Sequence, residues 1–287
     1  MTKTRTIAAL IMGPLAILAV LFLPTPWMMV LAAVLFLAGL WEWFRLAEVE
    51  DTLTRTFLLA ANLLLMVMLV WASRTTRGGS LALFHLSVFV GVVWWLLAAL
   101  WLRFPNFGSH HEGWARAIKL AAGTLAVIPA WCALAVIHGD PADAGMIGII
   151  PRNHLWLLTA LMMIWMADTG VYFARRKFGK YKLAPRISPN KTVEGLVGGA
   201  IAATVFGLIF AMIAGADAAH LPWVALTAVI TVAAALVGDL FESLLKRHAG
   251  VKDSSDLIPG HGGILDRMDS VLAALPVFAV CKASFGF

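Results

Sequence analysis

The chain has 287 residues, 61% of them hydrophobic, and only 38 charged: 22 Lys or Arg and 16 Asp or Glu, for a formal charge of +6. A soluble domain carries about a quarter charged residues. At 13% charged and a mean hydropathy of +0.87, ordinary cytosolic enzymes, secreted disulfide scaffolds and disordered chains are excluded. An all-α polytopic membrane protein remains.

A membrane span needs about 20 mostly apolar residues. Taken in chain order, apolar runs predict nine spans near 7–23, 27–42, 57–73, 81–102, 119–137, 155–174, 193–214, 221–238 and 268–285. The turn Pro24-Thr25-Pro26 makes a tight helical hairpin of the first pair. No small-x-small cleavage site follows the first run, so a retained span is expected, not a signal peptide. The stretch 239–267 is too polar to span and reads as a loop, or a helix end plus a loop. Cys132 and Cys281 lie in apolar runs without metal or redox spacing and read as core residues.

Lys and Arg placement orients these spans. With the N-terminus inside, 18 basic residues fall on the inner side, against Arg74, Arg77, Arg152 and Lys282 outside. The positive-inside rule therefore predicts a cytoplasmic N-terminus. That rule also accounts for the basic excess, without any role for nucleic acid.

Charge is unevenly spread. Residues 165–270 hold 20 charges in 106 positions, and the other 181 positions hold 18. Ionisable groups at membrane depth are expensive and survive mainly by facing a cavity or a partner. The first group is Asp168-Thr169-Gly170, followed by a basic run from Arg175 to Lys191. Topology and anionic headgroups account for much of that run. Ser188, Lys191 and Glu194 stand at the mouth of span seven, where free helix amides suit phosphate oxygens. The second group, Asp239, Glu242, Ser243 and Lys246, is spaced i, i+3, i+4, i+7 and so shares one helical face. Arg247 and Lys252 extend it.

The third group is Pro259-Gly260-His261-Gly262-Gly263-Ile264-Leu265-Asp266-Arg267-Met268-Asp269. Its glycines let the backbone approach a ligand closely. Asp266 and Asp269 stand one turn apart at the start of span nine, where capping is their ordinary role. Hard oxygen donors beside clustered cations suit Mg²⁺, which completes its shell with water and substrate phosphates. Zinc spacing, a Gly-x-Ser-x-Gly elbow and a P-loop are all missing from the sequence.

The run Ser243-x-Leu245-Lys246-Arg247-(four residues)-Lys252-Asp253-x-Ser255-x-x-Ile258-Pro259-x-His261-Gly262-Gly263-Ile264-x-Asp266-Arg267-Met268-Asp269 resembles the phosphatidate cytidylyltransferases, the CDP-diacylglycerol synthases, without departure over 27 positions. Asp168-Thr169-Gly170 and Ser188-Pro189-x-Lys191-Thr192-x-Glu194-Gly195 resemble the same family, so the likeness covers about residues 165–270. It implies a reaction of CTP with phosphatidate that yields CDP-diacylglycerol and pyrophosphate. It implies Asp239 and Asp266 at a Mg²⁺ centre, with K⁺ as a candidate beside it. It also implies phosphate contacts from Lys191, Lys246, Arg247, Lys252 and Arg267, with Ser188 and His261 assisting. Asp168, Glu242 and Asp269 are left between ligating metal and holding the cations in place, and Glu194, Ser243, Gly262 and Gly263 are grouped with the substrate-binding residues.

On this reading residues 1–160 form a scaffold of helices and 161–287 the catalytic region. A homodimer in a bacterial inner membrane is expected, with the site facing the cytoplasm. Two alternatives stand beside it. One is a related lipid-phosphate nucleotidyltransferase or lipid kinase. The other is an ion-coupled transporter using Asp168, Asp239 and Glu242, which the one-sided placement of the charges disfavours.

Overall fold

The computed structural model describes residues 2–75, 81–109, 112–255, 257 and 262–287, with side chains from residue 12 onward and that of Thr75 left out. Nine α-helices run through these residues: α1 (Thr2–Phe22), α2 (Thr25–Leu46), α3 (Thr52–Thr75), α4 (Ala82–Trp101), α5 (Gly113–His138), α6 (Arg152–Phe178), α7 (Val193–Ile213), α8 (Leu221–His248) and α9 (Leu265–Phe285). Eight of them are long and apolar enough to cross a bilayer, and α1 carries a shorter described apolar stretch, Met12–Phe22. The protein is an integral membrane protein of the all-α class.

Two antiparallel hairpins interrupt the helices. β1 (Met146–Ile147) pairs with β2 (Ile150–Pro151). β3 (Lys182–Ala184) pairs with β4 (Ser188–Thr192) in the register Lys182↔Thr192 and Ala184↔Ser188. Local chemistry sets several boundaries. Pro24 precedes α2 and Pro26 sits in its first turn, where a missing N–H is harmless. Asp51 accepts the Thr54 N–H at 2.8 Å ahead of α3. Thr192 closes α7 by accepting the Gly195 N–H at 3.1 Å.

α5 is the central helix, buried continuously from Ala126 to His138, whereas α3 presents Leu53, Phe57, Leu64 and Trp71 outward. Outward apolar side chains are the expected lipid face of a bundle. Gly91 on α4 lets Pro129 of α5 approach its backbone, where any Cβ would overlap the proline ring. Cys132 and Cys281 are buried free thiols, as expected of core residues.

Around Phe241 of α8 stand Trp43 of α2 and Trp94, Trp95 and Trp101 of α4, with ring centroids between 5.3 and 6.2 Å. Edge-to-face geometry is favoured by the aromatic quadrupole. This aromatic box fixes the rotation of α8. Asp239, two residues before Phe241 and so about 160° round the helix from it, thereby faces the other way.

Candidate active site

The polar stretch after residue 238 is a helix end plus a loop. α8 continues as helix to His248, and α6 runs on to Phe178. Asp168 therefore lies ten residues before the end of α6, about 15 Å along the axis at 1.5 Å per residue. Asp239 is nine residues from the end of α8. Asp168 and Asp239 are thus recessed from the helix ends where α6, α7, α8 and α9 meet; Glu242 and Lys246 are buried, Asp239, Asp266 and Asp269 partly buried, and Asp168 and Arg267 exposed.

Close backbone packing brings them together. Gly198 of α7 approaches α6, and a Cβ there would overlap Ala174 and lie 3.1 Å from the Gly170 carbonyl. Gly195 and Gly199 also face α6, so the small-xxx-small pair serves close helix packing. β4 leads straight into α7 and delivers Lys191 across to α8, where its ammonium pairs with the Asp239 carboxylate. Asp168, Val171, Lys191, Thr192, Asp239 and Ser270 line a cleft with about 30 Å³ of free space, enough for an ion or a water. Asp168 and Asp269 lie within electrostatic reach of Asp239, and Arg267 within reach of Asp168.

Two helical turns further along α8, Lys246 donates to Glu242 at 2.7 Å and to Asp266 at 2.6 Å. Glu242 is only 1% exposed, and its second oxygen, Oε1, is buried with no hydrogen-bond partner among the described residues. Asp266 accepts the Gly263 N–H at 2.8 Å, the Ser254 N–H at 3.0 Å and the Ser254 hydroxyl at 2.8 Å. Gly262 has φ +81°, a left-handed conformation that glycine adopts without strain. At Gly263 a Cβ would overlap both Ser254 Oγ and Glu42 Oε2.

Glu42 escapes sequence reasoning. It lies on α2, 3% exposed, in a region read only as apolar spans. Its carboxylate accepts from the Ser254 hydroxyl at 2.8 Å, the Ser255 hydroxyl at 2.6 Å, the Ile264 N–H at 3.1 Å and the Leu265 N–H at 2.8 Å. It thus satisfies the free amides at the start of α9 and ties both ends of the Gly-rich loop to the bundle. A lone Glu in Trp41-Glu42-Trp43 was the only available signal, at a depth where a carboxylate demands a partner.

The other expected residues are more dispersed. Arg247 is exposed and reaches the Ile187 and Val251 carbonyls at 3.4 and 3.3 Å. Lys252 is exposed on the loop after α8, and Ser243 is buried on α8. Ser188 opposes Ala184 in the hairpin. Glu194 accepts the Tyr181 N–H at 3.2 Å and so clamps the β3–β4 hairpin to α7. His261 lies outside the described residues.

Five carboxylates (Asp168, Asp239, Glu242, Asp266 and Asp269) thus share one end of the bundle with Lys191, Lys246 and Arg267. The negative excess and the orphaned Glu242 oxygen fit a further cation. Among the described residues, no three His, Cys, Asp or Glu side chains converge tightly enough to hold an ion by themselves. A hard cation taking one or two carboxylates and completing its shell from water and phosphate suits that set.

Fold and site together define a polytopic membrane enzyme whose charged centre is suited to polyanionic substrates. The chain belongs to the cytidylyltransferase family, which it matches over residues 3–285. It is 37% identical to the phosphatidate cytidylyltransferase of Pseudomonas aeruginosa over 294 residues, covering 100% of this chain and 99% of that one. Identity to the phosphatidate cytidylyltransferase of Haemophilus influenzae is 34%, over 97% and 98% of the two chains. The Bacillus subtilis phosphatidate cytidylyltransferase is 45% identical over 130 residues, 45% of this chain and 48% of that protein.

Proposed function

We propose that the protein is a phosphatidate cytidylyltransferase. It joins CTP to phosphatidate, giving CDP-diacylglycerol and pyrophosphate for phospholipid synthesis. The observation that carries this reading is the recessed constellation in which Lys191 and Lys246 are each held on carboxylates, Lys191 by Asp239 and Lys246 by Glu242 and Asp266. Two polyanions have to meet in this reaction, so fixed cations matter more than a base.

A phosphate monoester has a second pKa near 6 and is mostly dianionic at neutral pH. Its oxygen attacks the α-phosphorus of CTP, and the bond from that phosphorus to the bridging β-phosphate oxygen breaks. The electron pair leaves with pyrophosphate, and no proton need be taken from the nucleophile. Lys191, Lys246 and Arg267 neutralise the phosphate oxygens, with Arg247, Lys252, Ser188 and His261 as further phosphate contacts. Asp239 and Asp266 are the carboxylates proposed to hold Mg²⁺, with Asp168, Glu242 and Asp269 as the charges around it. Bound there, Mg²⁺ would offset the charge of the phosphates; K⁺ is the second cation the family resemblance implies. The recessed depth supports lateral entry of the lipid, with its acyl chains left in the bilayer.

The positive-inside count supports a cytoplasmic N-terminus and active site, and the bacterial relatives support an inner-membrane location. A homodimer rests on the resemblance and is read by crosslinking in membranes.

The test uses purified protein, radiolabelled CTP and phosphatidate. CMP incorporation into lipid should require Mg²⁺ and stop with chelator. Asp239→Asn and Asp266→Asn should each reduce turnover by about 100-fold or more. Near-normal turnover in both variants would sink the metal assignment. Transfer of the terminal phosphate in place of CMP would identify a lipid kinase.

A further inference from the structure

A second concave basic site lies on the other side of β4 from Lys191. The last turns of α6 contribute Tyr172, Arg175 and Arg176, and Gly179, Lys182, Asn190 and Thr192 complete a groove of about 430 Å³. Strand alternation explains the arrangement: Asn190 lines the groove while the next residue, Lys191, crosses to Asp239, and Thr192 at the end of the strand borders both sides.

Among the described residues, three cations line this groove and no carboxylate does. Arg175 donates to the Asn190 carbonyl and Arg176 to the Tyr172 hydroxyl, both at 3.3 Å. Neutral acceptors therefore position these guanidinium groups without cancelling their charge. Lys191 and Lys246, by contrast, sit directly on carboxylates. Basic residues in the last turn of a helix do complement its dipole. That accounts for Arg175 and Arg176 on α6 but not for Lys182, which reaches the same groove from the hairpin. A groove of this size is within the range of small-molecule sites, and concave uncompensated positive charge concentrates anions.

We propose that this groove is a second phosphate-binding site, separated from the Lys191–Asp239 centre by strand β4. Its ligand is a phosphate oxyanion carried either by a soluble polyphosphate or by an anionic phospholipid headgroup. Tyr172 and Phe173, 46% and 63% exposed beside it, are side chains suited to a membrane–water interface.

The proposal concerns binding, so it is tested apart from turnover. The full chain is placed in nanodiscs carrying Lys191→Gln, which weakens the neighbouring centre. Arg176→Gln with Lys182→Gln is compared with the charge-preserving pair Arg176→Lys with Lys182→Arg. Arg175 is left intact because it anchors the hairpin. One arm measures inorganic tripolyphosphate by calorimetry in neutral phosphatidylcholine discs. The other follows thermal stabilisation as phosphatidylglycerol is added without polyphosphate. A soluble ligand predicts about a 10-fold loss of tripolyphosphate affinity in the Gln pair and retention in the Lys/Arg pair. A headgroup ligand predicts loss of the phosphatidylglycerol response in the same pattern. If both responses of the Gln pair stay within about twofold of the parent, the proposal is overturned. Equal losses in the Gln and the Lys/Arg pairs overturn it as well.

Discussion

At the residue scale, Ser254 couples two carboxylates. Its hydroxyl oxygen lies 2.8 Å from both Glu42 Oε2 and Asp266 Oδ2. One hydroxyl proton serves one carboxylate at a time, so Ser254 links α2 to the Asp266 end of the site through a single shared donor. Glu42→Ala leaves the Ser255 hydroxyl and the Ile264 and Leu265 amides without that acceptor, at about 1–3 kcal/mol for each buried donor. Turnover should fall at least about 10-fold with a lower melting temperature, and Glu42→Gln, which keeps one oxygen, should lie between. Wild-type turnover in Glu42→Ala would remove the residue from the site. Gly263→Ala should behave like Glu42→Ala, because its methyl overlaps the same oxygens. Gly145→Ala, with open space around it, should be silent in the same assay.

At the element scale, the site depends on how closely α6 and α7 approach. Gly198→Leu would drive the added side chain into Ala174 and push α7, with Lys191 just before it, away from α8. Overpacking of this kind costs about 1–3 kcal/mol. The expected result is a lower unfolding temperature by scanning fluorimetry together with lost CTP incorporation. Leu208, partly buried further along the same helix, offers a control: Leu208→Met preserves volume and should change neither. The helical face Asp239, Glu242, Ser243 and Lys246 was legible from spacing alone. The depth of that face was not, because hydropathy ends a span where charges begin, and α8 continues as helix for ten further residues, from 239 to 248, with Glu242 and Lys246 buried. Buried partners make that extension tolerable, and partners are invisible to a local window.

Across the whole molecule, charge is also stored at the opposite end of α9. Lys282 is 7% exposed and donates to Asp143 at 2.5 Å and Asp140 at 3.4 Å, while Arg152 approaches Asp143 at 3.6 Å and donates to the Ala214 carbonyl at 2.9 Å. This network latches α9 to the turn after α5 and to the start of α6. Sixteen residues separate Lys282 from Asp266, about 24 Å along the helix. Lys282→Met leaves the buried Asp143 with Arg152 alone and should destabilise by about 1–3 kcal/mol. Turnover per folded molecule should stay near wild type. Lost turnover without a lowered melting temperature would contradict the latch.

Sequence by itself determined the membrane class, the nine helices and the three charge-rich groups of the candidate site, because hydropathy and helical spacing are local quantities. It also carried the family, since the motif is contiguous over residues 243–269. Tertiary structure alone decided that Lys191 pairs with Asp239, that Lys246 bridges Glu242 and Asp266, and that Glu42 holds a loop 212 to 223 residues away. Such pairings carry no periodic signal. A charge at membrane depth must find a partner, but which partner depends on how the helices pack.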